Sequence, residues 1–423
     1  MSKFALIGTG AAAFGAALAL SDTGGGPSDV ELIGPDDGSD LSELASRDPR
    51  TWADEDYDRI HRSIRAAVGL KFPPPRTLFG ETIDRYPLTG GTATLWRSER
   101  FGGLANFWSG AMFPLTLRDW ETWTVDAAEF APHYRRIAEA VGVAGRPDAI
   151  DHFYGTSYVN RPPAPCSALN ERLISAVNAN SRQGDVRVLA GVNRLAIETR
   201  DGHAHACVSC GECMYGCFRE SLFRPGKPLR TMVTDQRLRY RRAAVHRVEP
   251  GSGGCRVVFR DGDSTVYDRV ILCAGAIGTS EILLRSFGAP GDSMMIDDNE
   301  IYMFALINLA SGIEKQRDYM SFANSVVGIM PDDPSDSYCQ AQIAPFMEYL
   351  INYYAPRSVG KALSWLKANL RQRILLGKLY TGGSTAARFA LALTNTNDIE
   401  RTVIRTGLSQ QAARRALKAM SGA

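Results

Sequence analysis

The sequence predicts an α/β chain with a Rossmann-like nucleotide-binding domain and a second domain of mixed sheet plus helices. Three observations carry that reading. Phe4 to Ile7 form a short apolar strand, followed at once by Gly8, Gly10 and Ala13 in the spacing G-x-G-x-x-A and by an Ala-rich helix to Leu20. A second apolar strand, Arg269 to Cys273, runs into Ala274-Gly275-Ala276 and a further helix. From about Gly288 the character changes, and parts of 296–330 alternate as strands do. A chain of 423 residues is too long for one simple core, so two domains are expected.

The opening stretch specifies a ligand as well as a fold. Gly8 permits a tight turn, and Gly10 lets the backbone approach a pyrophosphate with no Cβ in the way. Ala13 is small enough for the helix to lie close on the strand. The phosphates would sit at the helix N-terminus, where unpaired N–H groups and the helix dipole favour an anion. Two other readings compete: a secretory signal, and a buried core helix with incidental glycines. The signal needs a basic leading region, but only Lys3 is basic and Gly8 and Gly10 interrupt the apolar run.

Val30 to Ile33 read as the second parallel strand. Such a strand usually ends in an acid that holds the ribose hydroxyls. Here the place falls on Gly34, followed by Pro35, Asp36 and Asp37. Asp36 is either a displaced ribose ligand or a turn carboxylate after Pro35.

Bulk composition narrows the function classes. The chain is 44% apolar and 22% charged with a net charge of +2, which gives no reason to invoke nucleic acid. No apolar run free of glycine breaks reaches the ~18–20 residues a spanning helix needs. Eight cysteines in a chain this large do not suggest a disulfide scaffold, and a reducing compartment, most simply the cytoplasm, is expected.

The remaining elements follow in order. Asp40 to Tyr86 is polar and irregular, with a helix around Tyr57 to Val68 and a stiff Pro73-Pro74-Pro75 run. His61 there is a surface residue. Residues 97–115 carry Gly102-Gly103, which allow another close approach to a ligand, then Asn106 and Trp108; the alternative is a Gly-containing loop with an aromatic anchor. An amphipathic helix lies within 119–143, with Asp126 and Glu129 at capping-box spacing and Phe130, Tyr134, Ile137 and Val141 on one face. His133 falls off that stripe. Prolines over 145–165 mark a link, before a helix at 167–181 and a strand at Val186 to Val188. Tyr240 to Val248 reads as a strand, and Asp261-Gly262 turns a hairpin between 255–259 and 264–267. The helix after Gly275 is expected from Ser280 to Ser286. Residues 343–390 look helical, including a basic amphipathic piece with Leu363, Leu366, Leu370 and Ile374 on one face. That piece, 361–378, is either a helix packing its apolar face in the second domain or a membrane-surface or lid helix. A last amphipathic helix spans Gln410 to Met420.

Cys207, Cys210, Cys213 and Cys217 have the spacing C-x2-C-x2-C-x3-C. Closely spaced thiolates suit an iron–sulfur cluster or zinc. In ferredoxins the fourth cysteine of such a run serves a second cluster, and no second run exists here. The competing reading is a thiol-rich structural loop. His203 and His205 precede it as surface residues, and Cys273 is a small core residue.

IGTGAAAFGAALAL at 7–20, RFGGLANFWSGAMFPLTLRDW at 100–120 and VILCAGAIGTSEILLRS at 270–286 together resemble the glucose–methanol–choline family of flavin oxidoreductases. The resemblance covers roughly residues 1 to 290. It implies an FAD-binding domain from 1–115 and 225–290, a connecting and cysteine-loop region at 116–224, and a substrate domain at 291–423, incomplete. It also implies a cofactor site. Gly8, Gly10 and Ala13 match the diphosphate turn, and Gly102, Gly103 and Asn106 match the loop along the flavin. Val245 matches the residue that meets the adenine, and Ala274 and Gly275 match the turn beside ribose and diphosphate. Members pass a hydride from an alcohol, such as a sugar or polyol, to the flavin. An external electron acceptor or oxygen then takes the electrons; some members carry an iron–sulfur cluster. Their catalytic His lies in a late return segment, and this sequence has no His after His246. The expectation is therefore a truncated or split member lacking its acid/base, or a non-catalytic flavin-binding or electron-transfer subunit that needs a C-terminal partner chain. No catalytic residue is assigned.

Overall fold

β1 (Phe4–Ile7) is apolar at every position, and such a strand is stable only with both faces covered. The computed structural model describes residues 3–21, 29–35, 51–59, 84–91, 93–120, 126–211, 213–215, 217–309, 320–333, 336, 338–347, 369, 372–381, 387–407 and 410–422. After β1 come α1 (Ala11–Ser21) and β2 (Val30–Gly34). A short ribbon, β3 (Asp84–Arg85) with β4 (Trp96–Arg97), precedes a 3-10 turn at Gly103–Phe107. Next are α2 (Leu117–Trp120), α3 (Ala127–Val141), α4 (Asp151–Tyr154), α5 (Ala168–Ala179), β5 (Arg182–Gln183) and β6 (Val186–Val192). The cysteine loop leads to α6 (Gly226–Thr234), β7 (Arg239–Arg242), β8 (Val245–Gly251), β9 (Gly254–Phe259), β10 (Ser264–Tyr267), β11 (Arg269–Leu272) and α7 (Gly275–Phe287). The rest comprises β12 (Ser293–Asp298), β13 (Glu300–Ile307), β14 (Ser325–Pro331), β15 (Cys339–Pro345), β16 (Ile374–Thr381), β17 (Ala387–Leu393), β18 (Ile399–Arg405) and α8 (Gln410–Gly422).

β1 sits inside a parallel sheet of order β11-β1-β2-β7. Its side chains alternate between two cores. Leu6 joins Ala13, Phe14 and Ala17 of α1 and Leu229 and Met232 of α6. Ala5 and Ile7 face the antiparallel sheet β10-β9-β8 and Ile282 of α7. Burying each large aliphatic side chain contributes about 1.5–3 kcal/mol, so this three-layer packing fixes where β1 ends.

The second half is built on a six-stranded antiparallel sheet of order β13-β16-β15-β14-β6-β5. α5 and α8 lie on it, bringing Leu169, Ile174, Val177 and Ala413, Ala416, Met420 onto Val188, Ala190, Val327, Ala341 and Leu379. A third antiparallel sheet, β12-β17-β18, packs Leu391, Leu393 and Ile399 against Leu284 of α7.

One expectation fails clearly. The described runs 343–345, 374–381 and 387–390 are strands, not helices, in β15, β16 and β17, while Asn369 between them is helical. Ile374 to Thr381 buries every second residue, and Gly377 lies under the ring of Phe304 across β13–β16. A membrane-surface helix therefore does not include 374–378; Leu363, Leu366 and most of that stretch lie outside the described residues. Two boundaries also move. Tyr240 to Val248 divides into β7 and β8, which belong to different sheets, and α7 starts at Gly275. The helix expected at 57–68, Pro73 to Pro75 and Asp36 fall wholly or mostly outside the described residues. Asp126 caps α3 by accepting from the Ala128 N–H at 2.9 Å. No helix among the described residues is long and apolar enough to cross a membrane, and all eight cysteines are free thiols.

Candidate functional site

The carboxyl ends of β1, β2 and β11 open into a crevice of about 560 Å³. Ligands of open parallel sheets bind at such ends, and the volume is in the range of small-molecule and cofactor sites, ~300–1,000 Å³.

Three glycine turns meet there. Gly8 leaves β1 with φ of +124° and donates its N–H to Ile33 O at 2.8 Å, while Cys273 N–H donates to Ile7 O at 2.7 Å. Gly10 starts α1, whose first residues, Ala11 and Ala12, line the crevice. Gly102 and Gly103 have φ of +95° and +60°. The two turns are joined directly: Gly102 N–H donates to the buried Thr9 hydroxyl at 3.1 Å. A Cβ on Gly10 would stand 3.6 Å from Gly102 O, and one on Gly103 or Gly275 would meet nothing within 4 Å. Gly275 opens α7 with φ of +75°, beside Ala274, and Val245 forms part of the same wall.

Seven of the nine residues expected to contact a cofactor thus line one crevice: Gly8, Gly10, Gly102, Gly103, Val245, Ala274 and Gly275. Ala13 and Asn106 do not. Ala13 is fully buried under α1. Asn106 is buried behind the second turn and donates Nδ2–H to Phe101 O at 2.8 Å. Both support the wall from behind.

Gly34 has a steric explanation. A Cβ there would come 2.7 Å from the Thr9 methyl group, so the first turn itself occupies the space of a β2-terminal acid. The Tyr240 hydroxyl donates to Gly34 O at 3.2 Å.

Away from the glycine turns the crevice wall is charged, with Arg97, Glu99, Arg260, Glu281 and Arg285. Sequence reasoning missed this group and Thr9. Its only local signal was Glu281 and Arg285 at i,i+4 on α7. No histidine lines the crevice among the described residues. His246 stands in an adjoining chamber, with Nε2 at 3.4 Å from Asn397 Nδ2. Burial, then Arg285, Arg247 and Arg260, hold His246 below its usual range.

The four loop cysteines line one small apolar cavity with Ile197, Leu222 and Phe322. Among the described residues, however, no three His, Cys, Asp or Glu side chains are placed to hold a metal. The metal assignment to Cys207, Cys210, Cys213 and Cys217 gains no support from this geometry. Burial pushes the Cys213 thiol up, followed by the neighbouring Cys210 and Cys217, and Cys217 Sγ accepts from Ser221 N–H at 3.3 Å. All but Cys210 pack against a core of Trp52, Tyr57, Met214 and Phe322.

No protein-family model matches the chain, and no curated protein matches it in sequence. Solved structures do match. An Aspergillus oryzae RIB40 formate oxidase, studied for a mutation's effect on FAD modification, aligns over 99% of this chain and 79% of its own. The identity is 13% and the TM-score 0.51. A second formate oxidase structure aligns over the same shares at 12% identity, with a TM-score of 0.53. The fold is that of the glucose–methanol–choline oxidoreductases. In this glucose–methanol–choline fold the parallel sheet supplies the crevice, and the six-stranded sheet forms the second body of the molecule.

Proposed function

We propose that the chain binds FAD in this crevice and is a flavin-dependent oxidoreductase acting on a CH–OH donor. The observation that carries the reading is the convergence of Gly8–Gly10, Gly102–Gly103 and Ala274–Gly275 on one crevice. The residues present fit the group. Gly10, Gly103 and Gly275 keep the wall bare, and the α1 N-terminus favours a diphosphate. When bound, FAD supplies a hydride acceptor. The chain's own residues hold and orient: the Thr9–Gly102 hydrogen bond fixes the two glycine turns to each other, and Val245 and Ile282 offer an apolar end. The substrate class, a small alcohol such as a sugar or polyol, rests on the resemblance of the three motifs.

The test is reconstitution of the purified chain with FAD, followed by anaerobic addition of alcohols. Retained flavin absorbance that bleaches with an alcohol supports the reading; failure to retain flavin overturns it. A second reading is a flavin-binding or electron-transfer subunit that works with a partner chain. It is favoured by the crevice's lack of a histidine among the described residues. Glu281 is also bonded to Arg401, and Glu99 stands 3.9 Å from Arg260. Flavin reduced by dithionite but by no alcohol selects it.

A further inference from the structure

A second chamber of about 330 Å³ opens onto the crevice, and Tyr86, Arg97, Glu99, Arg260, Glu281 and Arg285 belong to the walls of both. Four guanidiniums line it, those of Arg97, Arg260, Arg285 and Arg401, against three carboxylates, those of Glu99, Glu281 and Asp398. The pairing inside is unequal. Glu281 is buried and accepts from Arg401 Nε at 3.0 Å and from Arg401 Nη2. Arg285, one turn later on α7, reaches Glu281 only at 3.7 Å, outside hydrogen-bond distance. Its side chain is 12% exposed, and its buried Nε has no partner among the described residues. Arg97 is committed to Asp84 at 3.1 Å, and Arg97 and Arg401 lie over the Tyr86 ring at 5.4 and 4.7 Å.

A guanidinium keeps its proton under these conditions, and a buried guanidinium N–H left without an acceptor is unfavourable. The planar fork of Arg matches the oxygens of a phosphate. We propose that this chamber is an anion site for a phosphate group, held by Arg285 with Arg260 at its rim. The phosphate is either a free ion or carried by a nucleotide reaching across the shared wall. Phosphate is titrated with no FAD added, so a failure here is distinguishable from a failure of the FAD reading.

The test uses the full-length protein as purified, at constant ionic strength, with phosphate replacing chloride. Calorimetric titration and thermal melting are compared for the wild type, Arg285→Gln, Arg285→Lys and Arg388→Gln. Arg388 pairs with Asp297 on β12 and is not in the chamber. Phosphate is expected to raise the wild-type melting temperature and to bind Arg285→Gln about tenfold more weakly, with Arg388→Gln unchanged. In phosphate-free buffer Arg285→Gln should be about as stable as the wild type, because it removes both the buried Nε–H that lacks an acceptor and the long 3.7 Å ion pair to Glu281. Arg285→Lys keeps the charge but loses the fork, so it should fold and bind weakly. Equal phosphate binding by wild type and Arg285→Gln, or binding by neither, overturns the proposal. Tighter binding of adenosine 2′,5′-bisphosphate than of phosphate identifies a nucleotide-borne group; equal binding identifies the free ion.

Discussion

Gly8 packs directly on the carbonyl of Cys273: a Cβ on Gly8 would lie 2.1 Å from Cys273 O. The contact joins the turn after β1 to the turn after β11, so one missing side chain brings two walls of the crevice together. Gly8→Ala meets both that backbone and an unfavourable φ of +124°. It is expected to destabilise the protein by about 3 kcal/mol or more, read as a lower denaturation midpoint. A midpoint within error of wild type would contradict the close approach.

Gly10→Ala separates a ligand role from a folding role. Its Cβ meets only ordinary contact, Gly102 O at 3.6 Å. The variant should fold within about 1 kcal/mol of wild type and bind added FAD more weakly, measured by fluorescence quenching of the flavin. Unchanged FAD affinity would remove Gly10 from the cofactor site.

Arg194 is fully buried and bonds Asp148 Oδ1 at 2.9 Å, Asp151 Oδ1 at 2.6 Å and Val192 O at 2.7 Å. Asp148 in turn accepts from Val192 N–H at 2.8 Å, which ties the end of β6 to the start of α4. Arg194→Ala strands two carboxylates and should cost about 3–5 kcal/mol in urea denaturation. A loss below about 1 kcal/mol would show that water replaces the guanidinium.

Glu198 provides a pH signature. Its hydrogen bond with the Arg200 side chain holds it down at about 2, against the opposing effect of burial. A folded-state value below the unfolded one gives stability that is complete above the ordinary glutamate range of ~4.3 and lost as pH falls towards 2. Arg200 is exposed to solvent, which screens the pair, so its contribution is small. Wild type should melt above Glu198→Gln at pH 6, and the gap should narrow steadily below pH 4 and close as pH falls through about 2. A constant gap between the two would exclude the linkage.

The parts of the fold legible in sequence are those with local causes. Gly8, Gly10 and the apolar run before them identify β1 and α1, because a glycine turn and strand-to-helix periodicity act within a dozen residues. The Asp261-Gly262 hairpin and Ala274–Gly275 followed by α7 were legible for the same reason. β16 was not. Leu375 and Leu379 stand four apart, a spacing that fits a helix face as well as alternate positions of a strand. What decides between them is Phe304, some seventy positions earlier, whose ring covers Gly377. The charged wall was invisible for a similar reason, since Arg97, Arg260 and Glu281 come from β4, the turn after β9 and α7. Gly34 looked like a missing acid until the Thr9 methyl group was seen to fill its space.

β1 pairs with β2 on one side and with β11 on the other, and Lys3 N–H bonds Asp268, 265 residues later. Chains grow from the N-terminus at about 5–20 residues per second, so β1 waits on the order of tens of seconds for its second neighbour to be made. During synthesis its apolar edge is open to wrong partners, a hazard that chaperones or slow local collapse must cover. The wall that runs from Cys273 through α7 to Asp298 is also the last part of the crevice to be translated. The crevice is thereby complete only late in the life of the nascent chain, and a ribosome stalled before Cys273 would release a polypeptide that lacks the α7 wall.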